Sequence, residues 1–529
     1  MSPRAAKSAA APVTTTQRLQ AAVKSCRDIM RKDKGLNGDL DRLPMLTWIM
    51  FLKFLDDFEQ VRKDEAALRG ATHHPAIEAP YRWRDWNPPN SNGATEDGLH
   101  NPLTGDALIA FIDHDEAVRP DGARGVGLFA YLRSLSGSGE VLDREDIVAS
   151  VFRGTVNRMQ SGYLLRDVLD KVNTIHFGLS EETLTLSQMY ESMLKEMRDA
   201  AGDSGEFYTP RPLVRMIVKA VNPQLGEVIL DPAAGTGGFL VETFEHLKPL
   251  AKTVEHFERL QHGTLLGIEA KSLPYLLCQM NLLLHGVESP EIDPLNALRF
   301  RVSEIGDRDR VDVIITNPPF GGEEEKGIQG NFPSGRQTSE TALLFLQLIM
   351  RKLRRVDADG AHGGRAGVVV PNGTLFAGGV AARIKEDLLT GFNLHTIVRL
   401  PVGVFSPYTT IPTNVLFFDR GGPTSETWFY EHIAPSGRRG YTKTKPLKFE
   451  EFAPMLAWWE AREETEQAWL VSAATLADRE FNLDVKNPRA KEAYEDIAPE
   501  ELAARIGETS ARLVSVLQEI DNLLGSSTK

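Results

Sequence analysis

A run of apolar residues, VDVIIT, leads into Asn317-Pro318-Pro319-Phe320, the tetrapeptide with the most specific chemistry in the chain. Each proline locks its own φ and restricts the residue before it, so two in succession at a strand end hold the backbone extended and exposed. The carbonyl oxygens there are not claimed by a strand ladder. An exocyclic amino group such as that of adenine carries two N–H donors, and the side-chain oxygen of Asn317 with the backbone oxygen of Pro318 supplies two acceptors. Such bonds draw the nitrogen toward tetrahedral geometry and free its lone pair for in-line attack on a methyl group. Positioning, with no base of unusual pKa, is then the main catalytic device. Phe320 adds a flat face for stacking, and a base buried in a duplex must be flipped out to reach it.

Upstream, the strand-like EVILD runs into Asp231-Pro232-Ala233-Ala234-Gly235-Thr236-Gly237-Gly238-Phe239, followed by a helical stretch. Strand, glycine-rich loop and helix N-terminus form the setting that a nucleotide-like cofactor needs, with tight turns, close backbone approach and free N–H groups. Candidate cofactor contacts are therefore Asp231, Ala233, Gly235, Thr236, Gly237 and Gly238. The next strand, TLLGIEA, presents Glu269, an acid that can accept hydrogen bonds from both ribose hydroxyls. The glycines do not fall as G-x-G-x-x-G, and Asp231 would repel a phosphate while tolerating a cofactor with an amino group. S-adenosylmethionine fits this pattern better than a dinucleotide. An NAD-dependent dehydrogenase would use the loop and Glu269 but leave the Asn-Pro-Pro-Phe segment without a role, and a helical scaffold would leave the whole apparatus unused.

Holding these groups requires a layered domain. From Gly205 to about Ile433, continuous apolar runs (EVILD, TLLGIEA, VDVIITN, AGVVVPN, LHTIVRLP, TNVLFFD, TWFYEHI) alternate with helical stretches, which predicts an α/β domain whose sheet is buried on both faces. At 529 residues the chain exceeds one core. The expected division is a disordered tail over 1–14, a helical domain over 15–198, the catalytic domain over 199–440 and a C-terminal segment over 441–529. LPMLTWIMFLKFLDDFEQ gives the helical domain a long apolar stripe starting just after Asp41, whereas Pro80 to Arg124 reads as an irregular insertion. A further helix is expected from Ser180, with Glu181 and Glu182 in its first turn. Ile506, Leu513, Leu517, Ile520 and Leu524 form a heptad-like seam suited to packing on a partner or on the chain itself.

The composition, 42% hydrophobic and 25% charged, is that of an ordinary globular protein. No apolar run approaches the ~20 residues of a membrane-spanning helix and the N-terminus lacks a signal core, so a cytoplasmic location with no membrane contact is expected. Two cysteines, Cys26 and Cys278, give neither a disulfide framework nor a zinc spacing, and no metal is expected. A net charge of -13 excludes DNA binding over the whole surface, since duplex affinity comes from Lys and Arg replacing counterions. Two local patches remain candidates: Arg351, Lys352, Arg354 and Arg355; and Arg438, Arg439, Lys443, Lys445 and Lys448.

With these motifs in place, the chain resembles the modification (M) subunit of type I restriction-modification systems, a family of N6-adenine DNA methyltransferases. DPAAGTGGF, GIEA and NPPF match that family's cofactor loop, ribose acid and catalytic tetrapeptide, in the gamma order with the loop first. GEFYTPR also matches, and the resemblance implies that Tyr208 and Thr209 approach the methionine end of the cofactor. It implies a contact near the cofactor adenine for Asn296, with Asp293 as a competitor, and puts Leu344, Phe345 and VVVPNGTLF in motifs lining the base and cofactor pockets. LNGDLDRLPMLTWIMFLKFLDD and REFNLDVKNP resemble the family's N-terminal domain and the segment before its final helix. The fold implied is a Rossmann-like methyltransferase domain with helical additions. The implied partners are double-stranded DNA, a sequence-reading specificity (S) subunit, commonly two M to one S, and a restriction (R) subunit. Rivals within the class are a stand-alone adenine DNA methyltransferase and a protein glutamine methyltransferase; Phe320 in place of tyrosine and the long helical domain favour the type I reading.

Overall fold

The computed structural model describes residues 15–88, 103–136, 144–177, 208–356 and 363–489, apart from a few single positions within them, and scattered helical residues in 187–194 and 507–518. The expected tail, the helix start at Ser180 and the C-terminal seam other than Leu513 lie outside the described residues.

Helices α1 (Thr15–Met30), α2 (Asp39–Leu68), α3 (Trp83–Trp86), α4 (Gly105–Asp113), α5 (Leu128–Ser134), α6 (Arg144–Arg153) and α7 (Gly162–Val172) build the N-terminal part. Asp39 and Asp41 stand in the first turn of α2, where negative charge suits the helix dipole. Trp48, Phe51, Leu52 and Leu55 follow at helical spacing and are buried. Trp48 meets Phe129 of α5 edge-on at 5.1 Å, and Phe129 leans on Phe152 of α6 at 5.1 Å, which ties the helices through one aromatic cluster. The stretch expected to be an irregular insertion contains α4 and a hairpin of β1 (Glu116–Val118) and β2 (Arg124–Val126). An Asp-Gly turn makes the hairpin: Gly122 takes φ +78°, and Asp121 Oδ1 accepts the Ala123 N–H at 3.0 Å.

The catalytic part is a mixed sheet of β3 (Ile229–Asp231), β4 (Leu265–Ile268), β5 (Glu291–Asp293), β6 (Val313–Thr316), β7 (Arg365–Pro371), β8 (Asn393–Arg399), β9 (Thr413–Asp419), β10 (Glu426–Glu431) and β11 (Ala468–Ser472). Its order is β11-β10-β8-β9-β7-β6-β3-β4-β5, with β9 antiparallel to both neighbours and β11 antiparallel to β10. The apolar runs are continuous because alternate residues feed two cores. Val313, Ile315, Val415 and Phe417 enter a core shared with the N-terminal helices, while Ile314, Leu416 and Phe418 enter a second core on the other face. α2 and α6 pack on the helix Ser272–Leu284, so the helical part is fixed directly to the element that follows Glu269.

β11 lies beyond residue 440, where a separate C-terminal segment was expected, so the sheet extends past that boundary. From β3 the chain runs outward to β4 and β5, then returns to β6 on the opposite side of β3. The carboxyl ends of β3 and β6 thus flank a topological switch point, the crevice where open α/β sheets bind ligands.

Candidate active site

Both sequence motifs emerge at that crevice: the glycine-rich loop from β3, and Asn317-Pro318-Pro319-Phe320 from its parallel neighbour β6. A small cleft lies between them, lined by Thr209, Asp231, Ala233, Ala234, Gly235, Thr236, Gly238, Phe239, Glu269, Lys271, Asn317 and Pro319.

The loop keeps its shape through its own acids. Asp231 is buried; its Oδ1 accepts from the Thr316 hydroxyl at 2.6 Å and from the Ala233 N–H at 3.1 Å. Its Oδ2 is buried without a hydrogen-bond partner. Burial pushes the Asp231 pKa up to about 7, against the lowering effect of the Thr316 and Ala233 bonds, with Glu269 adding a further upward push. Glu269 holds the loop from the side: Oε2 accepts the Gly235 N–H at 2.9 Å and Oε1 the Lys271 N–H at 2.8 Å. Gly235 and Gly237 have φ of +55° and +77°, a left-handed region that only glycine enters without cost. A Cβ on Gly237 would also stand 2.9 Å from the Cys278 sulfur.

At the tetrapeptide, the Asn317 Nδ2 donates to Thr209 Oγ1 at 3.0 Å. Its Oδ1 is buried with no hydrogen-bond partner. Pro318 is buried beneath it, and Phe320 is half-buried, meeting Phe405 edge-to-face at 5.2 Å. Phe405 follows β8, whose carboxyl end points the same way as that of β6. An orphan acceptor beside an aromatic face, at the end of a cleft lined by two carboxylates, suits a neutral amino group brought up to a positively charged cofactor.

Two comparisons decide the family. A model of the N-6 DNA methylase family matches residues 181–497, and a model of the HsdM N-terminal domain matches residues 19–172. The chain belongs to the N-6 DNA methylase family. Among its relatives, this methylase is 43% identical to the type I restriction enzyme EcoEI methylase subunit of Escherichia coli, over 96% of this chain and 98% of that protein. Among solved structures, it resembles a modification subunit from Vibrio vulnificus at 64% identity and TM-score 0.80, covering 91% of this chain and 99% of the other. It also resembles a chain from a study of complex assembly and conformational transition in the type I restriction-modification system, at 36% identity and TM-score 0.76, covering 98% and 100%. The fold and the family agree with the resemblance read from the motifs.

Not every expected residue of the methylase lies at the cleft. Tyr208 lines a separate, open groove with Arg211, Glu191 and His285, its ring 5.8 Å from the Arg211 guanidinium carbon. Gly237 shapes the loop from behind. Asn296 and Asp293 do not line the cleft: Asn296 Oδ1 accepts the Leu298 N–H at 2.8 Å, and Asp293 holds the Leu295 N–H and pairs with Arg299. Leu344 and Phe345 are buried in the second core. Asn372, at the end of β7, accepts through Oδ1 from Asn414 Nδ2 at 3.0 Å. Conversely, Lys271, Phe239 and Thr316 had not been singled out. Lys271 and Phe239 flank the expected residues in sequence, but the link from Thr316 to Asp231 exists only through the pairing of β6 with β3.

The two basic patches separate cleanly. Arg351, Lys352, Arg354 and Arg355 lie at the amino ends of β6 and β7, opposite the cleft, and the three arginines are engaged locally. Arg351 donates to the Val302 and Ile305 carbonyls, Arg354 pairs with Asp312 at 2.7 Å and Arg355 with Asp307 at 3.6 Å. Lys445 and Lys448, exposed on the loop that follows the carboxyl end of β10, are on the cleft side; Arg439 and Lys443 lie outside the described residues.

Proposed function

We infer that this chain transfers a methyl group from S-adenosylmethionine to the N6 amino group of adenine in DNA, as the modification subunit of a type I restriction-modification complex. The observation that carries the reading is the pairing, at one switch point, of a glycine-rich cofactor loop with an Asn317 whose side-chain oxygen is an unsatisfied buried acceptor. A buried acceptor left open costs stability, which is tolerable where a ligand donates to it.

S-adenosylmethionine fits the residues present. Asp231 and Glu269 put carboxyl acceptors on the cleft wall, which suits an ammonium and ribose hydroxyls better than phosphates. Glu269 accepts the Gly235 and Lys271 N–H groups, one on each oxygen, and an acid of this kind is an acceptor for hydroxyl donors as well. When bound, the cofactor supplies an electrophilic methyl group. The chain then accepts the two amine hydrogens at Asn317 Oδ1 and the Pro318 carbonyl, stacks the flipped base against Phe320, and excludes water through the buried surroundings of Pro318. The family resemblance would bring Thr209, which lines the cleft, toward the methionine end, whereas Tyr208, in the neighbouring groove, and Asn296 or Asp293 would have to reorganise to reach the cofactor.

The relatives are methylase subunits of type I restriction enzymes; in the complex inferred for this chain, a specificity subunit, at two M to one S, would supply target reading on double-stranded DNA and a restriction subunit would complete the assembly. The net charge of -13 supports this division of labour. Acting on DNA, the protein works in the cytoplasm; among the described residues no helix is long and apolar enough to cross a membrane. Incubation with methyl-labelled S-adenosylmethionine and duplex DNA, with and without the cognate specificity subunit, tests the reading. Label in N6-methyladenine only when the subunit is present supports it. Full site-specific methylation by the chain alone would favour a stand-alone enzyme, and label in protein a glutamine methyltransferase.

A further inference from the structure

The Asn317 amide has two ends of similar shape and opposite function. Its oxygen can accept a hydrogen bond from an amine, and its nitrogen can only donate. For the carboxamide to offer oxygen to the target, the nitrogen must point elsewhere and find an acceptor, because a buried N–H without a partner is costly. That acceptor is Thr209 Oγ1, 3.0 Å from Asn317 Nδ2, while Oδ1 is left buried and unpartnered. Thr209 reaches this position from the segment just before the helix Arg211–Val221, 108 residues away in sequence, and lines the same cleft as Asn317.

We propose that Thr209 is a positioning residue for methyl transfer, fixing the Asn317 carboxamide with its oxygen toward the target amine, rather than primarily a ligand of the cofactor's methionine end. The proposal rests on the reading of Asn317 as the amine acceptor. In the reverse amide orientation, Nδ2 would face the two N–H donors of the amine, donor against donor, and the nitrogen lone pair would not be drawn out. Valine at 209 keeps the size and branching of threonine but removes the oxygen, so the productive orientation then buries an unpaired N–H. Serine keeps the oxygen.

The test uses the chain assembled with its specificity subunit and target DNA, comparing Thr209→Val, Thr209→Ser and Asn317→Ala. Cofactor affinity is measured by calorimetry, and the methylation rate by single turnover at saturating cofactor. Loss of one hydrogen bond of this kind predicts a rate roughly tenfold or more lower in Thr209→Val, with cofactor affinity changed less than about twofold and the rate largely restored in Thr209→Ser. A Thr209→Val enzyme that turns over normally at saturating cofactor overturns the proposal, whether or not its cofactor affinity falls; lost affinity would return Thr209 to the methionine end. Equal losses of rate in the valine and serine variants would also overturn it, by pointing to packing. Asn317→Ala separates the two levels. If that variant methylates at the normal rate, the reading of Asn317 itself has failed; if it is inactive while Thr209→Val is normal, only the role of Thr209 has.

Discussion

An amide oxygen buried without a partner is the residue-scale feature from which the chemistry follows, and a buried carboxyl with a raised pKa is the one that makes the cofactor loop sensitive to pH. Asn317 and the glycine-rich loop were legible in the sequence because their meaning is local: two prolines fix an extended backbone, and three glycines free a turn. Thr209 with Asn317 and Thr316 with Asp231 were not, because each pair meets only after the sheet has formed. Asp231 gives a pH prediction. Burial raises its pKa from the ordinary 3.8 to about 7, so the neutral carboxyl contributes stability that is complete below the unfolded value and is lost as pH rises through 7. The cofactor-free chain should therefore lose thermal stability between about pH 5 and pH 8 more steeply than Asp231→Asn, in which that site no longer titrates. Parallel curves of melting temperature against pH for the two proteins would contradict the burial account.

At the scale of elements, the alternation of continuous apolar runs with helical stretches gave the layered domain, since a strand buried on both faces has no polar alternation to hide. The pattern did not reveal β5, only three residues long, or β11, whose AWLVS follows an acidic stretch and gains its place only by pairing with β10. The hairpin within the expected insertion was obscured by the prolines and asparagines before it, although its Asp-Gly turn was a usable signal. The turn into the helix Gly238–Leu247 is the most constrained part of the cofactor loop. Gly237→Ala forces a Cβ into the left-handed region and toward the Cys278 sulfur, and should destabilise the fold by about 1–2 kcal/mol. Chemical denaturation of the variant measures that loss, with weaker cofactor binding in calorimetry as its companion. Wild-type values for both would mean that the loop can relax without harm.

Across the whole molecule, an acidic protein has to meet DNA through a restricted surface, and the sheet has two ends of different character. The arginines at the amino ends of β6 and β7 were candidates in the sequence, but they are engaged with carbonyls and aspartates far from the cleft. Lys445 and Lys448 share the cleft side with Phe320 and Phe405. In the assembled complex, Lys445→Glu with Lys448→Glu should weaken DNA binding uniformly across sequences and lower the slope of log affinity against log salt by roughly one to two units. Arg354→Glu with Arg355→Glu should leave that slope unchanged. The reverse result would put the DNA on the other side of the sheet.

The central claim is that Asn317 acts on the target amine while the β3 loop holds the cofactor. Its most direct test is Asn317→Ala in the chain assembled with its specificity subunit, with S-adenosylmethionine binding and methylation of target DNA measured on the same preparation. The account predicts cofactor affinity close to wild type and no detectable N6-methyladenine. N6-methyladenine formed at the wild-type rate by that variant would contradict it.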